Sequence, residues 1–366
     1  MIKKSISILI LLIAFISCKQ DVDYFNGEVF IVEIPRTADT LKGQEIVLND
    51  IYTGYMSVYD SIALFTSSRY SDEFINVFSL NSKELIGQSV GKGNGPNDFT
   101  RLSHRDNFFV DNNDLKLWLN NYDTQKLKLL NITQSIKKGS TIIDSVASFK
   151  KEPDTHYPFA FFFVVDNGQI LARSSPNLLR KKEYEYIPTE YHLYQYPSQE
   201  KIRSYLLYNK PLIPKDTEYF NAMYSSYFHS FDNIKSDQSK VAMAMWMLPQ
   251  INILDIQTGE LKGFRLNENI DFVNLEKNDI ESLKFYYSNI CTDNNYIYAL
   301  YLNTLMVDTE KHEETNEIHV FNWDGKFVKR IILEHSCDQI ALDRKNNKLY
   351  TKDDEEKIFC YDLNTL

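Results

Sequence analysis

Short stretches of alternating apolar and polar residues dominate the chain, which is the pattern of half-buried β-strands. Residues 75–80 and 318–323 are examples, and each is followed by a polar turn and a second apolar stretch. The best candidate for a helix, residues 276–287, is short. With 24 tyrosines and 23 phenylalanines, which are residue types that favour strands, the sequence predicts an all-β protein.

A polar turn that carries an aspartate and precedes an apolar strand recurs six times. The six aspartates lie 51, 55, 71, 56 and 50 residues apart and are Asp60, Asp111, Asp166, Asp237, Asp293 and Asp343. Asp, Asn and Gly cap their own turns and tolerate positive φ, so each phrase predicts a tight reversal between two strands. A second hairpin follows, for example at residues 251–264, so each unit has four strands and the size of a propeller blade.

Six units predict an all-β, six-bladed β-propeller that occupies residues 28–366 as a single domain. The sixth unit ends after its third strand, residues 357–363, and therefore lacks a fourth. We expect residues 29–34 to pair with this C-terminal blade, since that pairing closes the ring and covers two open sheet edges. A β-sandwich or two smaller β domains are the alternatives, but the even spacing and the spare strand at each end favour a ring.

The N-terminus has the order of a signal peptide. Lys3 and Lys4 precede an apolar run, residues 6–15, which is much shorter than the roughly 20 residues of a membrane-spanning helix. Ser17 and Cys18 follow, so the order predicts a leader, residues 1–17, whose cleavage exposes Cys18. Residues 15–18 resemble a bacterial lipobox with Phe15 in the usual place of Leu, which implies that Cys18 is lipidated. A plain secretory peptide cleaved elsewhere is the alternative.

Residues 91–99 read Gly-Lys-Gly-Asn-Gly-Pro-Asn-Asp-Phe. They resemble the Gly-x-Gly-x-Gly-Pro-Gly-Glu-Phe segment of the six-bladed, TolB-like propeller lipoproteins of Bacteroidetes, with Asn97 and Asp98 replacing Gly and Glu. Together with the lipobox and the six units, the resemblance covers the whole chain and implies a fold and a location, but no chemistry. The segment lacks the Gly-Lys-Ser/Thr of a phosphate-binding loop, so we interpret it as the crossover between the first two blades.

The lipobox and the resemblance together imply a location. Residues 18–27 become a lipidated tether, and the membrane is the partner of that tether. The acidic residues 19–23 resemble the surface-export signals of Bacteroidetes lipoproteins. We therefore expect a cell-envelope protein that is lipid-anchored at the outer membrane, with the periplasmic or surface side left open.

Charge and motifs exclude several classes of function. Removal of residues 1–17 takes away two lysines and no acidic residue, so the net charge changes from −10 to −12. This balance argues against nucleic acid, which needs a basic surface. Cys291, Cys337 and Cys360 lack CxxC spacing and are expected to be buried apolar residues. No metal-ligand or nucleophile motif occurs, so the sequence predicts no metal, no cofactor and no catalytic residue.

Binding residues are expected on loops held by the rigid scaffold. The loops that lead into the first strand of each blade should surround one mouth of the central channel. They offer mostly aromatic and histidine side chains, which suit a neutral polar ligand, a peptide or a carbohydrate. The predicted ligand-binding residues are Tyr52, Arg101, His104, His156, Tyr157, Tyr227, His229, Tyr287 and His335.

The sequence therefore favours a membrane-anchored cell-envelope lipoprotein that binds a ligand or another envelope protein at one propeller face. Two alternatives stay open. One is a lactonase-like or lyase-like hydrolase at the channel mouth, which converging carboxylates with shifted pKa or a channel metal would favour. The other is a structural partner of an outer-membrane nutrient-uptake complex, which a flat face without a pocket would favour. Fold alone does not choose among the three.

Overall fold

The computed structural model describes residues 25–121, 123–124, 126–148, 161–165, 168–173, 190–208, 229–268, 270, 283–305, 307–308 and 315–366. Within these ranges the chain forms strands in six sheets and one short α-helix. None of the helical structure in this part of the chain has the length and apolarity needed to cross a bilayer. The predicted leader, Cys18 and most of the tether fall outside the described residues.

Three strands come first, and we call residues 25–48, which contain them, the strap. They are β1 (Glu28–Val32), β2 (Ala38–Leu41) and β3 (Gln44–Ile46). The six blades follow in chain order.

Blade 1 contains β4 (Tyr55–Tyr59), β5 (Ile62–Thr66), β6 (Glu73–Ser79) and β7 (Leu85–Gly91). Blade 2 contains β8 (Leu102–Asp111), β9 (Asp114–Asn121), β10 (Lys126–Asn131), helix α1 (Ile132–Lys138) and β11 (Ile143–Ser148). Blade 3 contains β12 (Phe161–Val165), β13 (Gln169–Arg173), β14 (Glu190–Gln195) and β15 (Glu200–Leu206).

Blade 4 contains β16 (Ser230–Ile234), β17 (Lys240–Met245), β18 (Gln250–Asp255) and β19 (Leu261–Leu266). Blade 5 contains β20 (Lys284–Thr292), β21 (Tyr296–Leu305), β22 (Thr315–Asn322) and β23 (Phe327–Cys337). Blade 6 contains β24 (Gln339–Asp343), β25 (Lys348–Lys352) and β26 (Ile358–Asp362). First strands of different blades contact one another, which places them around the central axis.

The aspartate phrases are the turns between the first and second strands, as the sequence predicts. Asp166 falls outside the described residues, and the other five aspartates stand at these turns in blades 1, 2, 4, 5 and 6. Positive φ angles occur there at Asp60, Asn112, Gln238 and Asn347. The all-β, six-bladed propeller is therefore confirmed.

The strap closes the ring, but not with the predicted strand. β3 pairs antiparallel with β26, so an N-terminal strand does complete the C-terminal blade. The assignment of residues 29–34 to that position is wrong: β1 lies parallel to β19 as a fifth strand of blade 4, and β2 lies parallel to β23 in blade 5. β3 is the strap strand that precedes β4 in the chain, so the polypeptide passes from the outer edge of blade 6 directly into blade 1. The apolar residues of β1 pack on blade 4, where Phe30 stacks on Phe264 at 5.5 Å between ring centroids.

Helical structure also differs from expectation. The described end of the candidate helix, from Lys284, belongs to strand β20. The helix that does form, α1, begins at the side chain of Asn131, which accepts the N–H of Gln134 at 3.0 Å. It ends at Gly139, where φ is 62°. Local capping rather than a long apolar period makes this helix.

Residues 91–99 form the crossover between β7 and β8, as interpreted from the sequence. The carboxylate of Asp98 accepts the N–H of Gly95 at 3.0 Å. A Cβ placed on Gly93 or Gly95 would approach that carboxylate to 2.8 or 2.5 Å. The alternating glycines therefore make room for the Asp98 side chain within its own loop.

The three cysteines within the described ranges form no disulfide, and Cys291 and Cys337 are buried. Apolar side chains fill the spaces between blades, and Ile251 and Leu266 of blade 4 pack with Ile297 and Phe321 of blade 5 in one such cluster. We call each interface between two blades a seam and name it by their numbers. Because the seams are packed, they hold the loops above them in fixed positions.

Candidate functional site

The ring has two faces. On the upper face the chain enters the first strand of each blade, and on the lower face it turns from the first strand to the second. The sequence places the binding residues on the upper face. His156, Tyr157 and Tyr227 fall outside the described residues.

His104 joins blades 1 and 2 at the upper face. Its Nε2 lies 2.7 Å from Oγ1 of Thr66 at the end of β5. Its ring meets the ring of Tyr55 edge-on, with 5.5 Å between centroids. Arg101 is exposed at the same face and forms a 3.7 Å ion pair with Asp123. An ion pair this exposed fixes a side chain only weakly, so His104 is the better positioned of the two.

Thr53 and Glu356 tie blade 1 to blade 6 at the same face. Oγ1 of Thr53 donates to Oε1 of Glu356 at 2.7 Å, and the N–H of Thr53 donates to Oη of Tyr70 at 3.0 Å. Oε2 of Glu356 lies 2.8 Å from Nζ of Lys352, whose side chain is 3% exposed. Lys352 and Glu356 both belong to blade 6, and loss of Glu356 would leave the buried Lys352 charge without this partner, so the carboxylate that accepts from Thr53 is held in place.

Tyr52 belongs to the same seam and packs into it. Its ring lies 5.0 Å from Phe65 and 6.1 Å from Phe78, both in blade 1. Burial raises the pKa of Tyr52, and the Glu356 carboxylate adds to the effect. Burial likewise raises the pKa of the Asp338 carboxyl, against the opposing charge of Lys352. The Tyr52 hydroxyl therefore keeps its proton and can donate a hydrogen bond.

Three aromatic side chains form a platform on the upper face, which we define as His229, Trp246 and Phe285. Trp246 stacks on Phe285 with 4.3 Å between centroids and 8° between planes. His229 stands edge-on to Trp246 at 5.5 Å. Phe285 is 6% exposed, whereas His229 and Trp246 are half-buried. Blades 4 and 5 thus present two partly exposed rings on a buried base.

Tyr287 lies in seam 4/5 and is fully buried, so it does not reach the surface of the mouth. Its Oη lies 3.2 Å from Nδ1 of His319. Nε2 of His319 lies 2.9 Å from Oε1 of Glu317, and Arg330 donates to both Glu317 oxygens at 2.7 and 3.0 Å. This hydrogen-bonded chain crosses blade 5 from its first strand to its last.

The protonation states of Glu317 and His319 follow from burial and from their hydrogen-bond partners. Burial alone would raise the pKa of Glu317, but hydrogen bonds from His319 and Arg330 lower it to about 2. Burial lowers the pKa of His319 in spite of the neighbouring Glu317 carboxylate. At neutral pH the imidazole is therefore uncharged and the carboxylate is ionised, which fits a structural tie between the strands of blade 5.

Seam 3/4 has its own buried polar group beside the platform. The guanidinium of Arg173 donates to the Asp232 carboxylate and, at 2.9 Å, to Oγ of Ser230. The hydroxyl of Tyr191 donates to the same carboxylate. Ser230 follows His229 in the chain, so this group fixes the strand that begins just after His229. The local sequence gives no signal for it, because its members are up to 59 residues apart.

His335 lies away from the mouth at which it was expected. It stands on β23, the last strand of blade 5, and its ring stacks on Phe359 of blade 6 at 3.9 Å. β23 is the fourth strand out from the axis, so His335 lies towards the rim. The loop into blade 6 is short because β23 continues to Cys337. The length of β23 is not evident from the sequence.

The lower face holds a small opening at the axis, of about 280 Å³ with part of it open to solvent. Arg344 closes one side, where its Nε donates to the carbonyl of Thr292 at 2.7 Å. The lining comes from five blades and comprises Val58, Tyr59, Phe108, Asn233, Cys291, Thr292, Leu342 and Arg344. The sequence did not indicate this opening, because the search for a mouth considered only the upper face.

The structure therefore brings Tyr52, Arg101, His104 and His229 to the upper face, and puts Tyr287 beneath it and His335 at the rim. Trp246 is the residue that sequence reasoning missed, although it is one of only three tryptophans. Trp246 directly follows β17, the second strand of blade 4. The sequence-based prediction took binding residues only from the loops that lead into first strands. Within the described ranges, no three His, Cys, Asp or Glu side chains converge so as to hold a metal ion.

Comparison with known proteins agrees with this architecture. A family model described as a TolB-like six-blade propeller matches residues 37–345. A solved structure of a DUF4221 family member from Bacteroides vulgatus has a TM-score of 0.55 at 12% identity, and the match covers 90% of this chain and 97% of that one. A Bacteroides fragilis protein described as exported has a TM-score of 0.53 at 12% identity, with 91% and 98% covered. No curated protein matches the sequence. Likeness at this identity shows the fold alone.

Proposed function

The chain belongs to the TolB-like six-blade propeller family, and we propose that it is a binding module of the cell envelope. In this proposal the upper face holds a neutral polar ligand, either a carbohydrate or a peptide, and a lipid on Cys18 holds the ring at the outer membrane. The observation that carries the binding role is the platform, two partly exposed aromatic rings on a buried third.

The chemistry of the platform suits such a ligand. Trp and His rings offer apolar faces for stacking and an N–H for one hydrogen bond, which matches the mixed surface of a sugar ring or a peptide. The mature chain is acidic, with 50 Asp and Glu against 38 remaining Lys and Arg, so an anionic ligand is repelled at a distance.

The platform is also fixed before any ligand arrives. The N–H of Trp246 donates to the carbonyl of His229 at 2.9 Å, and the N–H of Tyr286 donates to the carbonyl of Trp246 at 2.6 Å. Main-chain hydrogen bonds therefore connect the segments that carry all three rings. A site that is already in place loses little ordering entropy on binding, which favours recognition at modest contact area.

The binding role can be tested without knowing the natural ligand. The full chain, purified in detergent, is screened by isothermal titration calorimetry against neutral oligosaccharides and against uncharged, capped hexapeptides. For any probe that binds, Trp246→Ala should weaken binding by about tenfold or more, because a central aromatic is the usual hot spot. His229→Ala should weaken binding less, because His229 contacts the central Trp246 ring only edge-on.

Tyr296→Ala is the matched control, since Tyr296 is a 37% exposed aromatic at a lower-face turn. It should leave binding unchanged. If no probe of either class binds, or if Tyr296→Ala weakens binding as much as Trp246→Ala does, the platform is not the binding site.

The location is tested separately. The order of Lys3, Lys4, the apolar run and Cys18 supports lipidation, and a fold relative from Bacteroides fragilis is described as exported. Cys18→Ala should move the protein from the membrane fraction to the soluble fraction of the envelope. Retention of the variant in the membrane would contradict the anchor, and protease treatment of intact cells would show which side the ring faces.

A further inference from the structure

The outermost strand of each blade leaves a row of main-chain N–H and C=O groups that face away from the ring. Such a row can pair with a strand of another chain. Among the described strands, the outer edges of blades 1 to 6 belong in turn to β7, β11, β15, β1, β2 and β3. They differ in how well they are protected.

Neighbouring structure covers two of these edges. On β7, the N–H of Val90 donates to Oγ1 of Thr141 at 2.8 Å, and helix α1 packs beside the strand. On β11, the carbonyl of Val146 accepts from Oη of Tyr196, in blade 3, at 3.4 Å. A partner strand would have to displace these contacts.

Charged side chains or a short strand protect three further edges, those of β15, β2 and β3. β15 carries Glu200, Lys201 and Arg203, and charged side chains along an edge block strand addition. β2 carries Asp39, whose carboxylate lies 3.4 Å from Nζ of Lys329. β3 is only three residues long.

β1 has none of these protections. Its four residues after Glu28 are Val, Phe, Ile and Val, with no charge among them. Phe30 and Ile31 are 37% and 60% exposed. In the described part of the chain β1 pairs only with β19, on its inner side. Phe30 stacks on Phe264, so the strand is held in place while its outer edge stays open.

We propose that the outer edge of β1 is a second interaction surface, which takes up an extended apolar segment of a partner protein that carries a basic residue at each end. The charges beside the edge point to this partner. Exposed Glu28 and Glu33 stand at its two ends. Strand addition supplies main-chain hydrogen bonds, and complementary charges at the ends fix register.

The same charges argue against a second copy of this chain. Two copies related by a twofold axis would pair their β1 strands antiparallel. Centred between Phe30 and Ile31, that pairing sets Glu28 of one copy opposite Glu33 of the other, and like charges directly opposite are destabilising. A partner with basic ends avoids this repulsion at both ends.

The test uses the full chain in detergent and two fluorescent, capped hexapeptides with a core of alternating valine and threonine, one with lysine and one with glutamate at both ends, so that the two end residues can lie opposite Glu28 and Glu33. Fluorescence anisotropy should show binding of the lysine-ended peptide only. Ile31→Lys should weaken that binding by about tenfold or more, because it places a charge on the edge. The double variant Glu28→Lys with Glu33→Lys should reverse the preference between the peptides.

Ile202→Lys is the matched control, since Ile202 is a 46% exposed apolar residue on the guarded edge of β15. It should leave binding unchanged, and circular dichroism checks that every variant folds. The proposal is overturned if neither peptide binds, if both bind equally, or if Ile31→Lys has no effect. Sedimentation that shows a dimer lost in Ile31→Lys would assign the edge to a second copy instead.

Discussion

The two faces of the ring use polar side chains in different ways. On the lower face, aspartates bond mainly to main-chain N–H groups of their own turns, as Asp293 does to Asn295 and Tyr296 at 2.6 and 2.7 Å. On the upper face, side chains bond to side chains of other strands, as Thr53 does to Glu356 across 303 residues of sequence. The lower face reverses the chain, while the upper face fixes side chains relative to one another.

The difference teaches where function can develop on this scaffold. A turn that depends on a local Asp or Asn needs that residue type at that position and tolerates little else. A face built from side-chain contacts across packed seams can present varied side chains in fixed positions, which recognition requires. The platform lies on the face of the second kind.

The largest expected effect compares two aspartates of blade 4. Asp232→Ala on the upper face should lower the free energy of unfolding by about 3–5 kcal/mol, because it leaves the buried guanidinium of Arg173 without its carboxylate. Asp237→Ala on the lower face should cost only about 0.5–1.5 kcal/mol, because it removes hydrogen bonds to the nearby Ser239. Denaturant unfolding measures both. Equal losses would erase the distinction between the faces.

An intermediate effect is expected where the lower face does reach across a seam. Asp343 is fully buried and accepts the N–H groups of Asp60 and Ser61 in blade 1, each at 3.2 Å. Asp343→Ala should therefore cost about 2 kcal/mol, since it leaves two partly buried N–H donors of blade 1 unpaired. Asp293→Ala, whose hydrogen bonds stay mostly within its own turn, should cost about 1 kcal/mol. If Asp293→Ala proves the costlier change in thermal or denaturant unfolding, seam contacts do not set the stability of this face.

The smallest expected effect is on how the melting temperature falls as the pH is lowered. The pKa of Glu317 is about 2 in the folded protein, against a usual value of 4.5, so its stabilising effect is complete above pH 4.5 and is lost as the pH falls towards 2. His319, whose pKa is lowered by burial, adds a loss that begins below its usual value of 6.5. Glu317→Gln should therefore flatten the decline of the melting temperature between pH 5 and pH 3 by about 2–4 °C. Glu334→Gln, an exposed glutamate of the same blade, is the matched control.

The contrast between the faces also explains what the sequence could predict. Asp237 and Asp293 accept main-chain N–H groups of their own turns, so the spacing of such aspartates along the chain predicts six blades. The sequence points to residues 29–34 as the closing strand because an apolar stretch fits an outer fifth strand as well as a closing strand. The true closing strand, β3, has only three residues, which is too short to show the alternation of a β-strand. Tyr287 was placed at the mouth because its position in a first strand does not reveal which way its side chain points.

Trp246 was missed for a related reason. Its environment comes from His229, 17 residues earlier, and from Phe285, 39 residues later, in a different blade. No pattern in one sequence records such a contact. The fold is therefore largely readable from local turns, while the candidate site follows from the way in which blades pack.

The most direct test of the central claim, that the upper face is where this protein binds, is hydroxyl-radical footprinting of the same chain in intact cell envelopes and after purification. The account predicts that Trp246 and His229 are oxidised several-fold more slowly in the envelope, where the natural ligand or partner is present, and that the lower-face Tyr296 is oxidised at the same rate in both. Protection of Tyr296 with no change at Trp246 would contradict the account.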